Sequence, residues 1–546
     1  MQRLRVPASL DHLEEAMTFI EDWLKKYKVS SKTAIHTRLV AEEWIVRLIE
    51  AAHENAMLHV SVRLYYGVPR IKLSVPGTKI EEEERPVDLI NEDAIGEDSV
   101  RLIRSVLLQA HKDQVVYKRA DEMNYVKISA GSRSHIVLFR NIMSFLVAMI
   151  LGHLLYQILP RDVAYNISDN FLVPLQSIFL NAIQMVAAPA IFFALTTNIC
   201  RFMSFSFSGK TTARILFSYF ATSFLAVFVS LGIVRLINPE QIALSGALSD
   251  LFVPTHTEEI SVLDRMFGII PDNILEPFST TNALQLLILA IFGGIALQRA
   301  GKHSTMLKDI ADALDKFFMA IVDIISSLMP VAIFFSTILM MLYFDLESLS
   351  TTMTILVLTA LGLIAMVVLY LLTILCAGRL NPLPFIKKCK PDILDFFLGG
   401  STITAIPRMM DCCTKKLGIH KKTVSFSIPF GAIANMDGNC VYLTIVGLLL
   451  ARIYGVNLFG SNLVTTVLTI VLLSITSSIT PGSALLVISM LLAQAGIPSV
   501  VMCLILGINA LLEMMLAVCN CLSDMALTLV SAKNTDMLDK EIYFSK

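Results

Sequence analysis

Long apolar segments follow one another from about residue 136 almost to the end of the chain, and they constrain the fold more than any other feature. A helix needs about 20 apolar residues to cross the roughly 30 Å of hydrocarbon in a bilayer. Hydrophobic residues make up 55% of the 546 residues and charged residues only 16%, which is too apolar for a soluble protein of this length. The sequence therefore predicts a multi-span α-helical membrane protein, with candidate spans at residues 136–159, 171–200, 212–237, 282–299, 317–342, 353–377, 423–452 and 494–531.

The first 131 residues have a different composition, with many charges, amphipathic patterns and Gly and Pro breaks. We predict two domains, a small cytoplasmic α+β domain at residues 1–131 and a transmembrane domain at residues 132–546, with a linker at residues 131–134. The elements predicted for the first domain are helices at residues 10–26, 32–54 and 98–111 and strands at residues 58–65, 71–75, 114–117 and 125–129.

Charge and cysteine content exclude several functions. The formal net charge is −1, so no overall field indicates a nucleic-acid partner. The nine cysteines lie mostly in apolar segments without a C-x-x-C pair, so we interpret them as buried apolar residues and expect no cofactor. The N-terminal residues lack the order of a signal peptide, which predicts a cytoplasmic N-terminus.

Two apolar segments, residues 392–410 and 464–491, are interrupted by Gly, Ser, Thr and Pro, so that neither half is long enough to cross a bilayer. Cytoplasmic loops carry an excess of Lys and Arg, and basic residues flank the first segment on both sides, whereas an acidic loop at residues 343–350 is predicted outside. The first segment is therefore predicted to enter and leave from the cytoplasm, the second from outside, with the C-terminus in the cytoplasm. Two oppositely oriented re-entrant hairpins are typical of secondary transporters with inverted repeats.

Few ionisable residues lie inside the apolar segments: Asp437 in FGAIANMDG, Glu513 in NALLEM and Asp524 in NCLSD. A charge in hydrocarbon is unfavourable unless it faces a partner or a cavity. Asn435 and Gly438 tolerate unwound backbone, which would expose carbonyl oxygens beside the carboxylate of Asp437. A set of oxygen ligands of this kind is what a hard cation prefers.

Five motifs occur in the order found in one family of carriers. They are YFATS at residues 219–223, GSTITAIP at residues 400–407, PFGAIANMDG at residues 429–438, SITSSITPG at residues 474–482, and N-x-x-x-D at Asn520 and Asp524. Together they resemble the dicarboxylate/amino acid:cation symporters, which include the glutamate transporters. The resemblance runs from about residue 136 to residue 530 and implies a glutamate-transporter-like fold, a homotrimer and alternating access by movement of the hairpins, the seventh helix and the last helix.

The resemblance also implies three sodium sites. Their ligands are, in turn, Asp524 with main-chain oxygens of Gly431, Asn435 and Asn520; then Tyr219, Thr222, Ser223, Asn435 and Asp437; and finally carbonyl oxygens of Ile433, Ser474, Ile475 and Ser477. All the side chains that these sites require are present, so we expect sodium to be the coupling ion.

The organic-substrate positions implied by the resemblance are Ser401, Thr402, Asn439, Glu513, Leu516, Ala517 and Asn520. Asn439 and Ala517 stand where the family has Thr, Glu513 where it has Asp, and Leu516 where it has the Arg that pairs with a side-chain carboxylate. Without that guanidinium a second carboxylate has no bidentate partner, which favours a neutral amino acid. We expect Glu513 to contact the ammonium group, and Thr402 and Asn520 to contact the carboxylate.

The second hairpin, which is the extracellular gate in the family, carries Ile479 and Ala484 where the family has glycines. These residues stiffen a segment that must open. The alternative left open is that the fold keeps its cations but has lost transport.

The N-terminal domain resembles the histidine-kinase-like ATPase fold of anti-sigma-factor serine kinases, in LRVPASLDHL, in RLVAEEWIVRLIEAAH and in LIRSVL. Arg47 stands where that family has its magnesium-binding Asn, Val75 where it has the adenine-reading Asp, and Gly96 is all that remains of its Gly-rich lid. Because a nucleotide site without its metal ligand does not position phosphates, we predict a degenerate module that binds a regulatory protein.

The sequence thus predicts a secondary active transporter, not an enzyme, that couples sodium to an amino acid or dicarboxylate across the inner or plasma membrane. A rival prediction is a membrane receptor with a transporter fold, in which the body binds a solute and the N-terminal domain signals.

Overall fold

The computed structural model describes most of the chain. The described residues are 2–27, 31–53, 56–65, 68–78, 80, 115–120, 122–129, 133–204, 210–237, 270–279, 282–300, 304–453, 456, 458–459, 463–477 and 483–545. The chain divides into two compact units, residues 1–137 and 138–546, and each is described by itself.

The described part of the first unit contains a five-stranded antiparallel sheet in the order β1-β2-β3-β5-β4, two α-helices and a 3-10 turn at Leu10–His12. Its elements are β1 (Gln2–Pro7), α1 (Leu13–Lys26), α2 (Ser31–Glu50), β2 (Met57–Tyr65), β3 (Val68–Pro76), β4 (Val115–Ala120) and β5 (Met123–Ser129). The two predicted helices and four predicted strands that fall on described residues are confirmed to within a few residues. Strand β1 was not predicted, and the predicted helix at residues 98–111, with Gly96 before it, lies outside the described residues.

Alternation along the strands places one face of this sheet in a core. Val60, Leu73 and Val126 are buried in neighbouring strands, and Ile20 and Leu48 from the two helices complete the same cluster. Successive side chains of a strand point to opposite faces, so the residues between these positions form the other face of the sheet.

Helices make up the rest of the described chain. They are α3 (Arg133–Ile158), α4 (Arg161–Ile167), α5 (Val173–Ser204), α6 (Lys210–Ile237), α7 (Glu276–Ser279), α8 (Ala283–Arg299), α9 (Ser304–Ser327), α10 (Met329–Cys376), α11 (Leu383–Gly399), α12 (Thr402–Asp411), α13 (Lys421–Ala434), α14 (Asp437–Ile453), α15 (Leu463–Thr476), α16 (Ser483–Gln494), α17 (Cys503–Leu506), α18 (Asn509–Lys533) and α19 (Lys540–Phe544). Single π-helical turns, Ser168–Leu172 and Cys412–Lys416, lie between α4 and α5 and after α12.

Six helical segments of the described chain are long and apolar enough to span a membrane: Phe139–Ile158, Arg161–Cys200, Arg214–Ile237, Leu349–Cys376, Lys421–Arg452 and Asn509–Lys533. A seventh candidate is the pair Ser304–Ser327 and Met329–Tyr343, which is bent by 51°. Helix α8 is apolar but only 17 residues long. The predicted start of the last span at residue 494 was wrong, because a 3-10 turn at Ser499–Met502 and the short α17 precede the long helix.

The predicted loop at residues 343–350 is helical, since α10 is assigned as one helix from Met329 to Cys376. The chain nevertheless reverses direction there. The hydroxyl of Thr352 lies 3.8 Å from the sulfur of Met340, twelve residues earlier. A straight helix would separate these positions by about 18 Å. The two spans predicted around this loop therefore fold back on each other.

Two of the candidate spans lie inside the second unit rather than at its surface. Of the apolar window in Lys421–Arg452, 89% is buried, as is 89% of that in Asn509–Lys533, against 17% for Phe139–Ile158. A helix that is apolar on all sides and is surrounded by protein lies at the centre of a helical bundle. The helices that carry Asp437 and Asp524 are thus the central ones.

Candidate functional site

The helical chain is interrupted at Asn435 and Met436, between α13 and α14. Asn435 leaves the helical conformation with φ −103° and ψ 82°, while its N–H still donates to the carbonyl of Gly431 at 2.8 Å. Asp437 is the first residue of α14, so its carboxylate lies at a helix N-terminus, where the helix dipole favours negative charge. The unwound backbone predicted beside Asp437 is therefore confirmed at Asn435, before the aspartate, but the expectation for Gly438 was wrong, because Gly438 already lies in the first turn of α14.

Asp437 is fully buried and accepts hydrogen bonds from three hydroxyl groups. Ser223 on α6 donates to Oδ1, and Tyr370 on α10 and Ser523 on α18 donate to Oδ2, each at 2.8 Å. A buried carboxylate requires such donors or a cation. The site of Asp437 thus joins three helices that are far apart in sequence.

Asn435 connects this site to Asp524. Its amide nitrogen donates to Oδ1 of Asp524 at 2.9 Å and to the hydroxyl of Ser523 at 2.8 Å, and its Oδ1 accepts from Thr222 at 3.3 Å. The second carboxylate oxygen of Asp524 is buried, and no described side chain hydrogen-bonds to it. A buried carboxylate oxygen in this condition fits a cation ligand.

Gly431 allows the close approach of Asp524. A Cβ atom on Gly431 would lie 2.5 Å from Oδ1 of Asp524 and 2.9 Å from the hydroxyl of Tyr219, so a larger residue at this position would displace one of these side chains. The Tyr219 hydroxyl donates to the carbonyl of Ser427 at 3.0 Å, and the Tyr219 carbonyl accepts from Thr222. Tyr219 therefore places its hydroxyl beside Asp524 and its main chain beside Thr222.

The residues predicted for the third sodium site lie at helix ends. Ser474 and Ile475 belong to the last turn of α15, and Ile433 to the last turn of α13. The last four carbonyl groups of a helix lack intrahelical partners and carry partial negative charge. The carbonyl of Ser474 accepts from the Ser477 hydroxyl at 2.8 Å, and that of Ser477 accepts from Ser483 at 2.6 Å.

All seven positions predicted for the organic substrate line one partly open cavity. Its lining is Gly400, Ser401, Thr402, Met436, Asn439, Ser477, Ser483, Ala484, Glu513, Leu516, Ala517 and Asn520. The cavity lies where α12, α14, α16 and α18 meet. The structure thus brings together the residues that the motifs placed more than 100 positions apart in the sequence.

Asn520 organises the floor of this cavity. Its Oδ1 accepts from the N–H of Gly438 at 2.7 Å, and its amide nitrogen donates to Oδ1 of Asn439 at 3.2 Å. The Asn439 amide nitrogen in turn donates to the hydroxyl of Ser477. These contacts join α18, α14 and the segment after α15, so the cavity and the predicted cation ligands share a wall.

The charge of the cavity comes from one side chain. Of the described residues that line it, Glu513 alone is ionisable, and its Oε1 accepts from Asn509 at 3.1 Å. Two helices begin at the cavity, α12 at Thr402 and α16 at Ser483, and their N-termini supply partial positive charge. Gly400, with φ 60°, ends α11 and makes the tight turn before α12.

The sequence did not indicate several residues of this region. Tyr370 contacts Asp437 but is a single aromatic residue in an apolar helix, with no pattern that marks it. Ser523 precedes Asp524 and Ser427 lies within α13, so their nearness to motif residues was the available signal. Ile479 lies outside the described residues.

The structure has two interrupted helix pairs, α11 with α12 and α15 with α16. A multi-span helical body with two such pairs and a buried polar site where they meet defines a secondary transporter. Residues 137–534 match the sequence model of the sodium:dicarboxylate symporter family, and the chain belongs to that family. The chain is 27% identical over 374 residues to a C4-dicarboxylate transport protein of Serratia proteamaculans, a match that covers 67% of this chain and 87% of the relative. It is 26% identical over 375 residues to a C4-dicarboxylate transport protein of Yersinia enterocolitica, with the same coverage.

Proposed function

We propose that the protein couples the entry of sodium to that of a neutral amino acid. One observation carries this proposal: among the described residues around the cavity there is one carboxylate, Glu513, and no Lys, Arg or His. A zwitterion matches this arrangement, with its ammonium at Glu513 and its carboxylate at the N-terminus of α12, beside Thr402 and Asn520.

The side-chain end of the cavity favours an uncharged group. Leu516 and Ala517 are buried and line the cavity with Met436. A second carboxylate placed against Leu516 would lose its hydration without gaining a guanidinium partner, at a cost of several kcal/mol. The similar proteins of Serratia and Yersinia are named for C4-dicarboxylates, so a dicarboxylate is the competing substrate that an experiment must separate from the amino acid.

Sodium coupling is supported by the oxygen-rich clusters beside the cavity. Asp524 has a buried oxygen that lacks a hydrogen-bond donor among the described residues, and Asp437 lies among three hydroxyl groups. Oxygen ligands of this kind suit a hard cation. Because Asn520 touches both the cavity wall and the backbone of Gly438, substrate and cation binding are expected to favour each other.

The transport cycle that we propose is alternating access by the unit made of α11 to α16 and α18. The distribution of Lys and Arg between the loops favours two interrupted pairs that enter the membrane from opposite sides, with both termini in the cytoplasm. We further propose a homotrimer in the inner or plasma membrane and a regulatory protein partner for the N-terminal domain, as the family resemblances imply.

The test is uptake into liposomes that contain the purified chain. A mixture of amino acids and dicarboxylates is supplied outside, and mass spectrometry identifies what enters with and without an inward sodium gradient. Sodium-dependent entry of neutral amino acids supports the proposal. Entry of aspartate or a C4-dicarboxylate keeps the carrier but contradicts the role of Leu516, and entry of nothing by a preparation that binds sodium favours the receptor.

A further inference from the structure

The sheet of the first unit has a strongly basic outer face. The residues that alternate with the core positions include seven exposed Lys and Arg side chains, which we call the basic face: Arg3, Arg5, Arg63, Arg70, Lys72, Lys118 and Lys127. The sequences of the five strands contain no Asp or Glu. Within the described sheet, this face therefore has one sign of charge only.

The strand register places like charges directly opposite each other on this face. Arg63 pairs with Arg70 across β2 and β3, and Lys72 pairs with Lys127 across β3 and β5. Like charges in such pairs destabilise a sheet. The ammonium of Lys72 lies 4.7 Å from the centre of the Tyr125 ring, a contact with an aromatic face rather than with an anion. An external anionic surface would relieve the repulsion between Lys72 and Lys127.

The opposite side of the unit has a different charge balance. Helices α1 and α2 contain seven acidic and five basic residues. Among the described residues of the unit, positive charge therefore lies on the outer face of the sheet and a small excess of negative charge lies on the helices. An extended anionic surface attracts such a body by its sheet and repels its helices.

The chain itself brings an anionic surface within reach. Ser129 ends β5 and Arg133 begins α3, so three residues separate the sheet from the helix that contains the candidate span Phe139–Ile158. A fully extended link of this length covers at most about 15 Å. Membrane lipid is thus present at a high effective concentration, whereas a free polyanion such as RNA must be recruited from solution.

We propose that the basic face binds the anionic phospholipid headgroups of the membrane that the chain spans. Juxtamembrane Lys and Arg are attracted to anionic leaflets by an energy that corresponds to about a fivefold change in binding per charge, and the attraction falls off within a Debye length. Binding by this face holds the first unit on the bilayer and leaves α1 and α2 accessible to a partner.

The experiment uses the full chain in nanodiscs of phosphatidylcholine alone or with phosphatidylglycerol. Trp23 and Trp44 are the two tryptophans of the chain, and both lie in the first unit, so energy transfer from tryptophan to a dansyl lipid reports the distance of this unit from the bilayer. We expect more energy transfer with the anionic lipid than with phosphatidylcholine alone, and we call this difference the increment. The increment should disappear at high salt. The double variant K72E/K127E removes the increment, and K72Q/K127Q weakens binding about 25-fold.

The matched control is K25E/K26E, which reverses two exposed lysines at the end of α1 and leaves the increment intact. Tryptophan emission of each variant shows whether the first unit is folded, and the Gln variant serves if the Glu variant is not. Transfer that is independent of lipid charge in the unmodified chain overturns the proposal. The proposal is also overturned if both Lys72/Lys127 variants keep the extra energy transfer that anionic lipid causes. It is overturned as well if anionic lipid has no effect and the transfer in phosphatidylcholine rises only when an acidic protein or RNA is added.

Discussion

The two buried aspartates differ in how fully they are satisfied. Asp437 receives three hydroxyl hydrogen bonds, whereas Asp524 receives one bond at Oδ1 from Asn435, and its Oδ2 receives none from the described residues. An unsatisfied buried carboxylate oxygen costs more free energy than a satisfied one. Asp524 is therefore the carboxylate that gains more from a cation.

Replacement of Asp524 by Asn is expected to raise the sodium concentration that gives half-maximal transport by about tenfold or more, because the neutral amide removes the charge to which we propose the sodium ion binds. The measurement is initial uptake against sodium concentration in liposomes. Asp536→Asn, an exposed change beyond the end of α18, is the control. An unchanged sodium dependence in D524N would show that Asp524 does not bind the cation.

Replacement of Glu513 by Gln is expected to raise the substrate KM by about tenfold or more, because it removes the carboxylate that we propose pairs with the ammonium group of the substrate. The sodium concentration for half-maximal transport at saturating substrate should stay close to that of the unmodified chain. Glu541→Gln on the exposed α19 keeps both constants. A KM that does not change in E513Q contradicts the ammonium contact and, with it, the substrate class.

At the scale of elements, a cluster of ion pairs joins α11 to α12, the two helices of the first interrupted pair. Asp392 on α11 is almost fully buried and accepts from Nε of Arg408 on α12 at 2.9 Å and from Nζ of Lys416 in the following π-helical turn at 2.5 Å. Arg408 also pairs with Asp395. Because α11 and α12 are short and meet at Gly400, this cluster fixes the angle at which α12 presents Thr402 to the cavity.

Replacement of Asp392 by Asn should destabilise the second unit by about 1–3 kcal/mol, since it leaves two partly exposed cations without their shared buried partner. The measurement is thermal unfolding in detergent, where we expect the midpoint to fall by several degrees. Asp411→Asn is the matched control, because Asp411 pairs with Lys415 within one turn, and their side chains are 52% and 76% exposed. Equal midpoints for the two variants would contradict the structural role of Asp392.

Sequence reasoning succeeded where neighbouring residues contain the signal. The break at Asn435 and Met436 follows from the Asn that precedes a buried aspartate, and the motif order brought Thr402 and Glu513 to one cavity. It failed where packing decides the outcome. Which face of α10 meets Asp437 depends on how three helices cross, so Tyr370 was missed. The chain also reverses direction near residues 340–352 without leaving the helical conformation. The polar residues there predicted a loop, because polarity does not distinguish a loop from a bent helix.

At the scale of the whole molecule, two compact units occur in one chain, and all tryptophan lies in the first. Unfolding of this unit is therefore observable by tryptophan emission while the transporter body contributes none. His59, in the sheet, has a pKa lowered from 6.5 by burial and then by the nearby Arg5. The folded unit thus favours neutral His59, and its stabilisation is complete above pH 6.5 and is lost as the pH falls below that value.

In His59→Gln the side chain does not protonate, so the denaturant midpoint of the first unit should fall less between pH 7 and pH 5 than in the unmodified chain. The measurement is tryptophan emission against urea concentration at each pH. Midpoints at pH 8, where both side chains are neutral, correct for changes other than titration. Parallel decreases in the two proteins would show that His59 does not contribute to the acid sensitivity.

The unequal satisfaction of the two aspartates has a consequence for leakage. A carrier wastes its gradient when a partly loaded form crosses the membrane, so the barrier for that form determines how tightly solute and ion are coupled. At Asp437 the hydroxyls of Ser223, Tyr370 and Ser523 take the place of an absent ion at low cost. At Asp524 no described group does so for Oδ2. If each aspartate binds one ion, a carrier that lacks the ion at Asp524 should cross the membrane far more slowly than a carrier that lacks the ion at Asp437.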